Sequence, residues 1–167
     1  RFVQETQALL GFHEVMAGRG YKTVSRVVSK KERPASPEIA AALELRRGSP
    51  IFEVTRLRCI NDEPLSLDVS NFPLDVGAKL SLEDLNGDIF PLLESRCGVS
   101  LGRAEVTIEA VACDAASAKI LGLAPGEPLL HLRRLTRTLS GRAVDYEHLY
   151  CRKDAWQYRV QLDRRRG

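Results

Sequence analysis

LELRRGSPIFEVTRL at residues 43–57 returns as LGLAPGEPLLHLRRL at residues 121–135. Leu43 falls on Leu121, Leu45 on Leu123, Gly48 on Gly126, Pro50 on Pro128, Arg56 on Arg134 and Leu57 on Leu135, all at an offset of 78. The residues preceding each stretch also match. Ser36-Pro37-Glu38 has the form of a helix start, with an N-cap serine, proline at the first helical position and an acid in the first turn. Asp114 opens the second copy, and its apolar residues Ile120 and Leu121 run to Gly122, which suits a left-handed C-terminal cap.

Each stretch continues into extended chain. Pro50 to Ile60, a turn at Asn61-Asp62-Glu63-Pro64 and Leu65 to Phe72 predict one β-hairpin; Leu129 to Leu139, a turn at Ser140-Gly141-Arg142 and Ala143 to Arg152 predict another. The second turn reads as one residue shorter, which changes the offset to 77 and sets Asp68 on Asp145. A spacing of 78 exceeds the ~20–50 residues of a solenoid repeat, so an internal duplication is the simpler account. Leu101 to Cys113 supplies a further strand, with Val106, Ile108 and Ala110 on one face, and Asp88 to Cys97 reads as a helix burying Ile89, Leu92 and Leu93. The expected class is α+β: an internally duplicated antiparallel sheet with flanking helices.

Composition narrows the function. The 167 residues carry 25 Lys and Arg against 22 Asp and Glu, a net charge of +3, with 44% hydrophobic residues. A chain of this length buries enough surface to fold without a metal or disulfide staple. The near balance of charge gives no argument for nucleic acid, and the basic clusters at Lys30-Lys31-Glu32-Arg33, Arg46-Arg47 and Arg164-Arg165-Arg166 lack interleaved aromatics. No apolar run approaches the ~20 residues of a membrane helix. Cys59, Cys97, Cys113 and Cys151 are spread without a Cys-x-x-Cys pair or zinc-type histidine spacing, so free thiols in a cytoplasmic protein are expected, with no metal and no cofactor.

Two arginines interrupt the apolar face of the first hairpin. Phe52, Val54, Arg56, Arg58 and Ile60 share one face, and Ser66, Asp68, Ser70 and Phe72 share a parity in the partner strand. A buried guanidinium needs a carboxylate or an anionic ligand. Two arrangements satisfy this: Arg56 paired with Asp68 and Arg58 at the rim, or both arginines on a ligand. In the second hairpin Asp145, Glu147, Leu149 and Cys151 share a face opposite Val144, Tyr146, His148 and Tyr150. His131 and His148 are expected to pack. Gly87-Asp88 at a helix start suits an anion, although Asp88 itself can satisfy the free N–H groups. No nucleophile with an adjacent base, P-loop or dinucleotide signature occurs, so no enzyme activity is expected.

Five pieces of the chain, in order and spacing, resemble the UTRA domain, the effector-binding half of HutC-type regulators in the bacterial GntR superfamily. They are Leu10-Gly11-Phe12-His13-Glu14 with Arg19-Gly20, Thr55-Arg56-Leu57-Arg58 with Asn61-Asp62-Glu63-Pro64, Gly98 to Ala104, Ala118 to Leu123, and Gly141 to Tyr146 through Arg152-Lys153-Asp154. The resemblance implies the chorismate-lyase-like fold, itself duplicated. It also implies a ligand-sensing, homodimerising domain that follows a winged helix-turn-helix domain, with residues 1–12 as linker and 13–167 as the UTRA domain. DNA would then be reached only through that preceding domain.

Carried over by position, the ligand-binding residues implied are Phe12, His13, Arg56, Arg58, Asp68, Asp88, Phe90, Asp145 and Cys151. The family often has threonine at position 13, serine at 88 and tyrosine at 90 and 151, so this chain departs from it at four of these places. An aspartate at the helix start repels a phosphate by on the order of 4 kcal/mol at 4 Å and an effective dielectric of 20. The implied effector is therefore a small carboxylate or a polar, amine-bearing metabolite whose acid meets the arginine pair. A lyase-type enzyme on the same fold and a scaffold that dimerises without a ligand are the competing expectations.

Overall fold

A computed structural model describes residues 2–5 and 20–164. Six antiparallel strands form the main sheet: β2 (Thr23–Pro34), β3 (Pro50–Ile60), β4 (Glu63–Pro73), β5 (Leu101–Ala112), β6 (Pro128–Thr138) and β7 (Ala143–Arg152). Their spatial order is β2-β3-β4-β7-β6-β5. Two short strands, β1 (Phe2–Glu5) and β8 (Trp156–Arg159), pair in parallel as a separate ribbon. Among the described residues the helices are α1 (Pro37–Leu43), α2 (Leu74–Gly77), α3 (Ile89–Arg96) and α4 (Ala115–Leu121), with a 3-10 turn at Asp84–Asn86.

The duplication is larger than the sequence repeat. β2-α1-β3-β4 and β5-α4-β6-β7 are the two copies, and both bounds of β2, α1 and β3 return 78 residues later in β5, α4 and β6. β2 itself was not expected. Its sequence, TVSRVVSKKERP, loses alternation in a run of charges, and as an edge strand it is mostly exposed, so little apolar patterning marks it.

The hairpin turns reverse the expectation. The first is a tight two-residue turn with Asn61 and Asp62 both at positive φ (48° and 68°), the backbone that two-residue hairpins favour. The second spans residues 139–142 and is the longer one. The pairing of the strands follows from these lengths. Arg56 stands opposite Asp68, and Arg134 stands opposite Glu147, so the second strand of the repeat maps at 79 and the counterpart of Asp68 is Glu147. Asp145 corresponds instead to Ser66.

Local chemistry sets the helix ends as the sequence predicts. The Ser36 hydroxyl accepts from the Ile39 N–H at 3.3 Å, and the Asp114 carboxylate accepts from the Ser117 N–H at 2.7 Å. Gly122 ends α4 at φ 68°, and Glu44 holds the equivalent left-handed position after α1 at φ 57°. α1 covers Ile51, Ala143 and Tyr146 on the outer face of the sheet, and α4 covers Leu57, Leu67 and Leu129 there. On the inner face Leu85, Ile89, Phe90 and Leu93 pack over Val54, Phe72 and Val144. Leu65, Leu132, Leu149 and Cys151 form a second apolar cluster against Tyr158.

Candidate functional site

Between these two inner-face clusters lies a band of buried charge. The register aligns Arg56, Asp68, Leu149 and Leu132 in one row across the sheet, and Val54, Ser70, Glu147 and Arg134 in the next. Arg58, Ser66, Cys151 and Leu130 form a third row. Alternation along four strands thus delivers three arginines and three carboxyl groups, Asp68, Asp145 and Glu147, to one face.

Both hairpin arginines bind a single oxygen. Arg56 Nη2 and Arg58 Nη2 donate to Asp68 Oδ2 at 2.9 and 2.8 Å. Arg56 Nη1 also donates to the carbonyls of Leu85 (3.3 Å) and Gly87 (2.9 Å), which ties β3 to the loop before α3. Arg56 is 1% exposed and Arg58 6%, so Arg58 is buried beside its neighbour and not at the rim. Burial and the nearby Glu147 charge hold the Asp68 carboxyl above its ordinary range, against the pull of the two arginines.

The second copy has its own pair. Arg134 grips Glu147 through Nε (3.1 Å) and through Nη2 to both oxygens (2.9 and 3.0 Å). Burial pushes the Glu147 carboxyl up, but Arg134 overrides it, and the carboxyl settles at about 2. The Arg134 guanidinium lies 4.8 Å from the centre of the Phe90 ring, a cation–π contact with the first turn of α3. Neither Arg134 nor Glu147 stood among the residues expected from sequence, although Arg134 is one of the six repeat identities and Glu147 shares a parity with Asp145.

Asp145 is fully buried opposite Thr136, and neither of its oxygens accepts from an N–H or O–H group. Burial and the adjacent Glu147 carboxylate raise its carboxyl well above the ordinary value. Ser66 Oγ, Ser70 Oγ, Asp68 Oδ1 and Thr136 Oγ1 on the same face are also buried without partners. These atoms leave hydrogen-bonding capacity unused on the inner face.

The remaining expected residues divide. Cys151 is fully buried on this face among Leu65, Leu132 and Leu149, and burial pushes its thiol up to about 12. Phe90 is buried under Arg134. Asp88 occupies the N-cap of α3, but its side chain makes no capping hydrogen bond. Phe12 and His13 lie outside the described residues. His131 and His148 sit on the outer face: His131 Nε2 is 2.8 Å from His148 Nδ1, and His131 stacks on Tyr150 at 4.6 Å. Burial holds both imidazoles below their ordinary pKa. Among the described residues no group of His, Cys, Asp and Glu has metal-binding geometry, and no helix is long and apolar enough to cross a membrane.

Comparison with known proteins agrees with this architecture. The HTH-type transcriptional repressor NagR of Bacillus subtilis is 29% identical over 161 residues, covering 96% of this chain and 66% of NagR. A ligand-binding domain from Bordetella bronchiseptica, assigned to a GntR-family transcriptional regulator, is 32% identical with a TM-score of 0.79, covering 85% of this chain and 92% of that one. PhnF from Mycobacterium smegmatis shares the fold at a TM-score of 0.86 and 18% identity, covering 98% of this chain and 72% of its own. The chain thus spans about two thirds of the length of its NagR relative. The UTRA domain model matches residues 18–157, which include the whole duplicated sheet with its buried arginine and carboxylate rows, and the chain belongs to the UTRA domain family.

Proposed function

We propose that this chain is the effector-binding domain of a bacterial, cytoplasmic GntR/HutC-type transcription regulator, and that its inner-face charge band holds a small polar metabolite. The observation that carries this reading is the set of buried polar atoms without a hydrogen-bond partner, Asp68 Oδ1, Ser66 Oγ, Ser70 Oγ and Thr136 Oγ1, around the fully buried Asp145 carboxyl on one face of the sheet. Arg58, Asp68, Asp145 and Phe90 form the inner part of the site, and Asp88 stands at its α3 edge. Arg56, held by Asp68 and two carbonyls, positions that edge. Phe12 and His13 belong to the proposed set from the opening segment. In the proposed division residues 1–12 are a linker and 13–167 the domain.

The effector is a carboxylate or amine-bearing metabolite. Its acid competes with Asp68 for the guanidinium of Arg58, and its donors satisfy Asp145 and Asp68 Oδ1. Ligand binding changes the operator affinity of a DNA-binding domain elsewhere in the protein, two copies pair to match a two-fold operator, and no reaction is catalysed. Support for the regulatory role comes from the relatives, which are named as transcriptional regulators.

Thermal-shift screening of carboxylates, amino acids, amines and sugar phosphates tests the reading. At least one carboxylate or amine is expected to stabilise the wild type, with the shift lost in Arg58→Ala and in Asp145→Ala. Asp88→Ser is expected to favour sugar phosphates. A panel in which no compound stabilises the protein, or in which these variants respond as wild type does, overturns the proposal.

A further inference from the structure

We propose that Glu38, His148 and His131 form a one-proton latch that fastens the first turn of α1 to the outer face of the sheet. The latch stays closed while the imidazole pair is neutral or singly protonated, and a second proton opens it. The inference stands apart from the identity of any effector.

A chain of contacts runs from the helix to the sheet. Glu38 follows the proline that opens α1, and its Oε1 accepts from the Tyr146 hydroxyl at 2.7 Å and lies 3.4 Å from His148 Nε2. His148 Nδ1 is in turn 2.8 Å from His131 Nε2. The two ring centres are 5.0 Å apart with planes 18° from parallel, so the imidazoles meet edge to edge and nearly coplanar, as an N–H···N bond requires. Tyr150 lies against the other side of His131 at 4.6 Å and holds its plane. Tyr146 and His148 alternate along β7 with Asp145 and Glu147, so the latch acts on the back of the strand that supplies two buried acids to the inner face.

The geometry fixes where the protons sit. At 2.8 Å one of the facing ring nitrogens carries a proton and the other a lone pair. A carboxylate beside His148 Nε2 favours an N–H there, so in the neutral ring Nδ1 holds the lone pair and His131 Nε2 is the donor. Both neutral rings are therefore Nε2–H tautomers, and the next proton goes to His131 Nδ1. That proton leaves every contact intact. The Nε2 proton of His131 then crosses to His148 Nδ1, which moves the positive charge next to Glu38. A second proton sets N–H against N–H and cation against cation, and the contact separates.

The surrounding charges balance one proton and no more. Arg133 on β6 and Glu109 on β5 are bonded to each other at 2.6 Å, which leaves Glu38 on α1 to offset a charge on the pair. Asp114, the N-cap of α4, acts on Tyr150, and burial raises the hydroxyls of Tyr146 and Tyr150, so both stay neutral. β4 sets Leu67 and Val69 opposite Tyr150 and His148. Burial lowers both imidazoles, so the stability they contribute is present above the unfolded value of about 6.5 and is lost as pH falls below it.

An NMR titration of the isotope-labelled 167-residue chain tests the latch, with His131→Gln and His148→Gln assigning the signals. At pH 8 both rings are expected as Nε2–H tautomers in long-range nitrogen–proton spectra. On acidification both respond to one common step and to a second at least about one pH unit lower. Through the second step the α1 amides lose about tenfold or more of their protection against hydrogen exchange, while the β3 amides keep theirs. His131→Gln reduces His148 to a single step. Glu38→Gln, an exposed substitution that tests the chain even where a histidine variant folds poorly, lowers the first step by about half a unit. In His131→Gln/His148→Gln the α1 protection stays level with pH, which separates the pair from the carboxyl groups. Independent titration of the two rings, or an Nδ1–H tautomer at His148 at pH 8, overturns the shared proton. Constant α1 protection in the wild type, or an equal loss in the double variant, overturns the release of α1.

Discussion

Arg134 and Glu147 face each other directly across β6 and β7 and share three hydrogen bonds, and this pair is the duplicate of Arg56 and Asp68 in the first copy. The copies then diverge at the neighbouring rung. Arg58 stands opposite Ser66 in the first, and Thr136 stands opposite Asp145 in the second. That rung carries a basic residue in the first copy and an acidic one in the second. Asp145 is therefore buried without an arginine of its own.

The Arg134–Glu147 pair predicts a strongly non-additive mutant cycle. Arg134→Met leaves a buried carboxylate uncompensated and is expected to destabilise the domain by about 3–5 kcal/mol, whereas Arg134→Met/Glu147→Leu recovers most of that loss. Urea denaturation of the two variants measures it. Equal losses in both would show that the pair is not a closed electrostatic unit.

Asp145 predicts a distinctive pH dependence. Its carboxyl is raised in the folded protein, so from its unfolded value of about 3.9 upward the folded state holds a proton that the unfolded chain releases. Stability from this group therefore falls as pH rises through that range. Glu147 acts in the opposite sense: its folded value of about 2 gives stability that is present above the unfolded value of about 4.3 and lost as pH falls toward 2. Urea midpoints from pH 4 to 8 are expected to show Asp145→Asn gaining on wild type as pH rises. Parallel curves would contradict the assignment.

The four thiols are expected to separate into two classes. Cys59 and Cys97 are partly exposed, while Cys113 and Cys151 are buried. Burial raises the Cys151 thiol to about 12, and a thiol reacts through its thiolate. Ellman's reagent should label two thiols in the native protein and the other two only after denaturation, with peptide mapping placing Cys151 in the slow class. Rapid native labelling of Cys151 would show that the inner face opens.

Gly77 predicts a steric cost away from the charge band. A Cβ there would lie 2.7 Å from Phe52 Cβ, and the Gly77 carbonyl accepts from Lys30 Nζ at 3.0 Å. Lys30 in turn sits 4.5 Å over the Phe52 ring, so Phe52 is held from two sides. Gly77→Ala is expected to cost about 1–3 kcal/mol in chemical denaturation. A neutral substitution would mean that α2 shifts freely against β3.

Near-neighbour chemistry and repetition were legible in the amino-acid sequence. The six identities at one offset revealed the duplication, the α+β class followed from helix and hairpin signals in each copy, and the Ser36 and Asp114 caps could be read because a cap is an interaction within three residues. Alternation likewise placed Arg56, Arg58, Asp68, Asp145 and Cys151 on their face. Which of these groups meet depended on the packed fold. One strand register depends on the length of a turn, and the turn at residues 139–142, longer than its counterpart, makes Glu147 and not the anticipated Asp145 the counterpart of Asp68. β2 stayed hidden because an exposed edge strand needs hydrogen bonds from β3 more than apolar alternation of its own. The burial of Arg58, which binds the same Asp68 oxygen as Arg56, arises from layers packed over the sheet by segments distant in sequence, and a two-residue period carries no information about what covers a face.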